Sequence, residues 1–389
     1  MLIPISNMAR DYAWGSTTLI AELQGREPSG TPEAEIWFGD HPGSPSRVDD
    51  GTGRPLNLVL SEAGIAPLPY LLKILAAGTS LSIQAHPSRD QAAAGFAREE
   101  AAGIPRDAPH RLYRDENHKP EIIVALSETF RALVGLRPIA DTQRLLASLG
   151  EGSGVGALSS ALSPTDAEDE PAALRRVIGW ALSGEASDVV TDLAAALESF
   201  ASDEVASEFA AEIRVLRDIA GAFPGDAGLV VATLMNLVEL RRGEALFAPA
   251  GVLHAYQDGL GVELMAASDN VLRGGLTPKH VDVPELLQVV STESGPAPIV
   301  EPLDVAPGVF GYDVGVSDFR LVRVETTFEA VAEIALDGVA IVLATRGDIV
   351  VEADGDRVEL VPGTAAVVSA TSVAIGGAGE AFVAQPGVA

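Results

Sequence analysis

Between residues 138 and 222 the hydrophobic period of this chain changes, and the change limits the folds open to it. Val189, Val190, Leu193, Leu197 and Phe200 recur at helical spacing, as do Val205, Phe209, Ile213 and Leu216. On either side the pattern is one of short extended segments broken by Gly, Pro, Ser and Asp. A helical block set between β segments predicts a mainly β chain carrying an inserted helical domain. Within the block, Ser163-Pro164 and Ser187-Asp188 are the expected helix starts. The stretch Gly152-Ser153-Gly154-Val155-Gly156 has no phosphate-loop lysine and no preceding strand, so it reads as a flexible connection.

The β segment before the block carries polar residues at regular positions. Residues 1–60 read as all-β, with Ala13-Trp14-Gly15 and Glu35-Ile36-Trp37-Phe38-Gly39 as strand ends and turns. Ser82-Ile83-Gln84-Ala85-His86-Pro87 reads as a strand closed by proline. Alternation puts Ser82, Gln84 and His86 on one face and Ile83 and Ala85 on the other, so Gln-x-His is a possible pair of metal ligands. A short helix is expected over Asp90–Ala102. A second strand, Asn117 to Leu126, places Lys119, Glu121 and Ile123 on one face. A carboxylate at the mouth of such an apolar strand has to be solvated, paired or metal-bound.

Composition removes several function classes. The formal net charge of −29 opposes binding to nucleic acid or an anionic membrane surface. No apolar run is long enough to span a bilayer, and no basic region precedes an apolar stretch at the N-terminus. With no cysteine, disulfides and thiolate metal sites are both excluded, which suits a cytoplasmic protein. Of 26 basic residues only Lys73, Lys119 and Lys279 are lysines, and in a chain that otherwise uses arginine each is a candidate for a specific task.

After the helical block comes Gly243-Glu244-Ala245-Leu246-Phe247-Ala248-Pro249-Ala250-Gly251-Val252-Leu253-His254. It resembles the second signature of the cupin barrel, in which a Pro-x-Gly turn throws the following histidine into the barrel mouth. Ser268 to His280 combines charged and turn residues without period and reads as an ordered functional loop. Further on, Asp354-Gly355 between apolar-alternating runs signals a hairpin. No histidine follows His280, so a second, C-terminal β-barrel-like domain would be metal-free.

Together these pieces resemble the type I mannose-6-phosphate isomerases over nearly the whole chain. The carrying motifs are Ala13-Trp14-Gly15-Ser16, Ala34 to Gly39, Leu81 to Pro87, Asn117-His118-Lys119-Pro120-Glu121 and Met265 to Lys279. The resemblance implies a cupin (jelly-roll) catalytic domain over 1–137 and 226–298, a helical insertion over 138–225 and a C-terminal β domain over 299–389. It implies one zinc ion on Gln84, His86, Glu121 and His254, an essential arginine at Arg273 and an active-site lysine at Lys119. It also implies interconversion of mannose 6-phosphate and fructose 6-phosphate.

That chemistry removes a proton α to a carbonyl and returns it to the neighbouring carbon through an enediol. Two neutral His, one Gln and one Glu⁻ leave a net positive zinc centre able to polarise sugar oxygens. Arg273 suits the enediolate or the phosphate. Lys119, Asp269, Glu263 and His118 are candidates for the base, and His118 with Asp269 for ring opening. Lys73 and Ser82, with Lys279 and Arg273 nearby, are expected at the phosphate, and Trp14 at the substrate. The expected partner is a small sugar phosphate, bound by a monomer or weak dimer. The competing readings are a non-catalytic metal-binding cupin that senses sugar phosphates, an iron cupin oxygenase, and an isomerase of another sugar phosphate.

Overall fold

The computed structural model describes residues 1–150, 152–165, 167–200 and 208–387. Strand content exceeds helix, and the strands form two ten-stranded antiparallel sheets. The first holds the motif-bearing strands, and its organiser is the long strand His254–Ala266. The second half of that strand pairs with Tyr70–Ala77 on one side and Glu121–Ala125 on the other. Its first half pairs with Gln84–Ala85 and Phe130–Leu136. The partners change where the register shifts between Tyr256 and Asp258. Gly259 completes the bend: its φ is 121°, and a Cβ there would come within 2.7 Å of the Phe130 ring. One strand thereby crosses between two packed layers in the manner of a cupin jelly roll.

The outer faces of these layers are covered differently. Ile83, Ala85, Leu133, Leu253, Ala255 and Leu272 join one hydrophobic core with the helices of the central block. The apolar face of the Ser82–Pro87 segment is therefore buried under the helices while Ser82, Gln84 and His86 turn inward. On the other side, Ile36, Phe38, Leu72, Ile74, Val124 and Val262 pack on Leu321, Ile341, Leu343 and Phe382 of the C-terminal sheet. The N-terminal strand Leu2–Ser6 also belongs to that second sheet, pairing with Ala365–Val368. The layers that carry the motif strands are thus held between a helical slab and a β slab.

Several local expectations change. Residues 1–60 are not all strand: Leu19–Leu23 and Leu56–Glu62 are helices, too short for their period to register in sequence. Helix Arg89–Ala101 forms with a Ser88–Gln91 capping box. Gly154 and Gly156 lie inside helix Ser153–Leu162 rather than in a flexible connection. Gly154 is there because helix Ser187–Ser199 comes close: an added Cβ would lie 2.4 Å from that of Asp192, whose carboxylate caps Ser153 and the Gly154 amide. Ser163 ends that helix, and the next one, Glu170–Leu182, is capped by Asp169 with Pro171 in its first turn. Helix Ser187–Ser199 starts where expected, whereas Val205 lies outside the described residues. Asp354 and Gly355 both take positive φ (52° and 89°) between Ala340–Ala353 and Asp356–Leu360, a type I′ hairpin.

Candidate metal centre and substrate cavity

Strand register brings distant motifs onto one inner face. His254 stands opposite Gln84, and Gln84 opposite Arg273, so these side chains form a row across three strands. Glu263 stands opposite Lys73 and Ile123, and Glu121, two residues from Ile123, shares their face. The turn Pro249-Ala250-Gly251 delivers His254: Gly251 takes φ 82°, and its amide donates to the carbonyl of His86 at 2.8 Å. That bond ties the segment before one imidazole to the segment after the other.

His86, Glu121 and His254 are buried, with ligating atoms all within 4.8 Å of one another. His86 Nε2 lies 3.2 Å from one Glu121 oxygen and His254 Nε2 3.1 Å from the other. Neither Nε2 makes a hydrogen bond of good geometry. Each Nδ1 is taken by a backbone carbonyl: His86 at 2.7 Å by Asn270, His254 at 3.1 Å by Val252. A carbonyl only accepts, so both Nδ1 carry a proton and both Nε2, facing Glu121, are the ring nitrogens left to ligate a metal. Burial pushes the His86 imidazole down to about 4, against the pull of Glu121, which keeps it neutral at physiological pH. Burial alone would raise the Glu121 carboxyl, but Lys119 and the two imidazoles hold it well below the usual range. Two imidazoles and an ionised carboxylate converging in this way fit a zinc-type cation.

Beside the triad lies a cavity of about 650 Å3 lined by Gln84, Lys119, Glu121, Lys73, Glu263, Arg273, Lys279, Ser82 and Trp14, among others. Gln84 is half-buried and its amide makes no hydrogen bond among the described residues. Lys119 Nζ is 3.0 Å from Glu121. Lys73 is placed otherwise than expected. Its ammonium sits between Glu263 at 3.0 Å and Glu35 at 3.3 Å, over the Trp37 ring. Burial would depress it, but the two carboxylates outweigh burial and hold it charged. A cation already neutralised twice is poorly suited to a phosphate. Of the cations lining the cavity, Arg273 and Lys279 have no carboxylate partner among the described residues, and the exposed Arg114 is near enough to repel both. Burial lowers both, Arg273 further by repulsion from Arg114 and Lys279 by repulsion from Arg273 and Arg114, as expected of a pocket that awaits an anion.

Two expected site residues lie elsewhere. His118 Nε2 contacts Asp318 at 2.8 Å and Arg89 at 2.9 Å, on the side of the C-terminal sheet. Asp269 is exposed, with His41 at 3.6 Å. They do not meet each other, and neither lines the cavity. Conversely Glu35, Tyr12, Tyr256 and Phe223 line it without having been expected there. Strand alternation with Trp37 marks Glu35 as inward once its partner strand is known. Phe223 arrives from the helical block, for which no sequence signal exists.

Residues 2–139 match the family model "Phosphomannose isomerase type I, catalytic domain". Mannose-6-phosphate isomerase of Escherichia coli (strain K12) is 35% identical over 94% of both chains. The enzyme of Bos taurus is 31% identical over 90% of this chain and 88% of its own. The chain belongs to the type I mannose-6-phosphate isomerases. Within that family, the crystal structure of mannose 6-phosphate isomerase from Salmonella typhimurium, with fructose 6-phosphate and zinc bound, superposes with a TM-score of 0.87 at 33% identity and full coverage of both chains. A crystal structure of a mannose 6-phosphate isomerase with zinc and yttrium matches equally, at TM-score 0.87.

Proposed function

We infer that this chain is a zinc-dependent aldose–ketose isomerase interconverting D-mannose 6-phosphate and D-fructose 6-phosphate. The observation that carries the reading is the pair of orphaned Nε2 atoms facing Glu121 beside a cavity whose unpaired cations are Arg273 and Lys279. His86, Glu121 and His254 would hold the zinc, with Gln84 as the fourth ligand. When bound, zinc supplies Lewis-acid polarisation of the sugar oxygens. The residues of the chain do the rest. Arg273 and Lys279 bind the phosphate or balance charge on the enediolate, replacing the expected role of Lys73. Lys119, in the cavity and beside Glu121, is the best-placed group to move the proton between C1 and C2. Lys73, clamped by Glu35 and Glu263, orders the cavity wall, and Ser82 and Trp14 contact the sugar. His118 and Asp269, whose side chains contact Asp318 and His41, are left out of this reading of the proton transfer.

The reading includes four segments: catalytic 1–137 and 226–298, helical 138–225 and C-terminal 299–389. It also includes a cytoplasmic location and a monomer or weak dimer, which sedimentation would measure. Metal analysis of the purified protein, followed by a coupled assay on mannose 6-phosphate with and without chelator, tests the activity. A sensing cupin would bind zinc and show no turnover. Arg273→Ala should keep its zinc while kcat falls about 10²–10³-fold; near-normal kcat would remove that loop from the site.

A further inference from the structure

The two motif loops that flank the metal triad, around residues 114–117 and 267–271, are stitched together by the side chains of Asn270 and Asp115, neither of which lines the cavity. Asn270 is fully buried. Its Oδ1 accepts from the amides of Arg114 at 2.6 Å and Asp115 at 3.2 Å. Its Nδ2 donates to the carbonyls of Asp115 at 2.9 Å and Asn117 at 2.8 Å, and to Asp115 Oδ1 at 3.2 Å. A primary amide has two protons and two lone pairs, and all four are in use. Asp115 returns the link: Oδ1 accepts from Ser268 Oγ at 2.8 Å and the Asn117 amide at 2.9 Å, and Oδ2 from the Asp269 amide at 2.8 Å.

The consequence reaches the site through backbone. The same Asn270 offers its carbonyl to His86 Nδ1 at 2.7 Å. The 114–117 loop leads directly into Lys119 and Glu121, and the 267–271 loop into Arg273. We propose that the Asn270–Asp115 pair is a latch that positions the metal cage: it locks the His86 tautomer and the spacing between His86 and Glu121 before any ion arrives. This rests on the reading of His86, Glu121 and His254 as the zinc site. Both latch residues are positioning residues. A ring held by a carbonyl whose own backbone is locked cannot rotate away from the cage centre, so the ordering cost of binding is met during folding.

The test measures zinc affinity by competition with a chelator, separately from activity, alongside the Tm of each metal-free protein. Asn270→Asp keeps the shape but turns a donor into an oxygen facing three oxygens, and should weaken zinc binding about 10–100-fold. Asp115→Asn loses one acceptor and should weaken it roughly fivefold, the equivalent of one net hydrogen bond. Tyr312→Phe, which removes a buried bond to Gly243 that involves neither the latch nor the cage residues, should lower Tm and leave zinc affinity unchanged. Should Asn270→Asp fail to fold, Asp115→Asn decides by the same measure. Lower Tm with wild-type zinc affinity in the latch variants would overturn the latch and make these bonds merely structural. A wild-type protein that binds no zinc would overturn the metal reading itself, a distinct result.

Discussion

The chain contains two β units with the same kind of frame and interiors that differ in how much charge they bury. In the C-terminal unit the space between layers is filled by Val309, Val322, Val324, Val342, Val351 and Val383, and the fully buried carboxylate of that unit, Glu380, is paired with Arg242 and Arg323. In the catalytic unit a similar core of Leu75, Ile123, Phe130, Val134 and Leu246 fills only part of the interior. The remainder buries Glu35, Lys73, Lys119, Glu121, Glu263, His86 and His254. Both units use a proline–glycine turn with glycine at positive φ, at Gly251 and Gly363. The first turn leads to His254; the second leads to Thr364 and the apolar strand Ala365–Val368. The frame therefore does not require the charges. Burying ions carries a desolvation penalty that pairing only partly repays, so the charged half of the catalytic interior is retained for chemistry rather than for stability.

Three experiments press on that contrast, in decreasing order of expected effect. Glu121→Ala removes the one carboxylate that both imidazoles and Lys119 face. Zinc content by metal analysis and turnover by coupled assay should both drop to background, while the apolar C-terminal interior keeps its protection in hydrogen exchange. Retained zinc would show that the charged half is not a metal cage. Lys73→Met converts part of the catalytic interior towards the C-terminal kind, but leaves Glu35 and Glu263 facing each other. Removing one partner of a buried pair should lower stability at pH 7 by about 3–5 kcal/mol in denaturant melts. Glu263 is already raised by burial and by its acidic neighbours, and without Lys73 it rises further. The folded state then holds a proton the unfolded state lacks, so the deficit should shrink as pH falls from 7 towards 5. A pH-independent deficit would mean that the loss is one of packing alone.

The smallest effect is expected from pH acting on the metal-free wild type. The folded His86 is held at about 4 against an ordinary value of 6.5, so between those limits the unfolded chain binds more protons. Stability is complete above about 6.5 and declines as pH falls towards 4, with Glu121, also depressed, adding to the loss below its ordinary 4.5. The Tm of the apo form followed from pH 7 to pH 4 checks this. Saturating zinc should flatten the upper part of the curve, because a metal-bound imidazole does not accept a proton.

Much of the architecture is legible in one dimension because it depends on period. The strand around Gln84, the Asp354-Gly355 turn and the helical spacing of 189–200 are all local alternation or local backbone preference. The misreadings were also local in origin. Gly152–Gly156 looked like a connection because the sequence does not show that Asp192 packs against Gly154, and the short helices at 19–23 and 56–62 span too few residues to display a period. At the site, inward-facing Gln84, His86 and Glu121 followed from alternation. The partners of Lys73 and His118 did not: Glu35 and Glu263 lie on two other strands, and Asp318 lies 200 residues away in the loop before strand Arg320–Thr326 of the other sheet.

By itself the sequence determined which side chains could share a face, which turn could carry a histidine, and that a protein this acidic needs a local cationic pocket for an anionic sugar. Tertiary structure alone decided which cations are free to meet it. Whether a buried ammonium is neutralised depends on carboxylates brought beside it by strand pairing, and pairing across such distances in the chain is settled only when the layers close over one another.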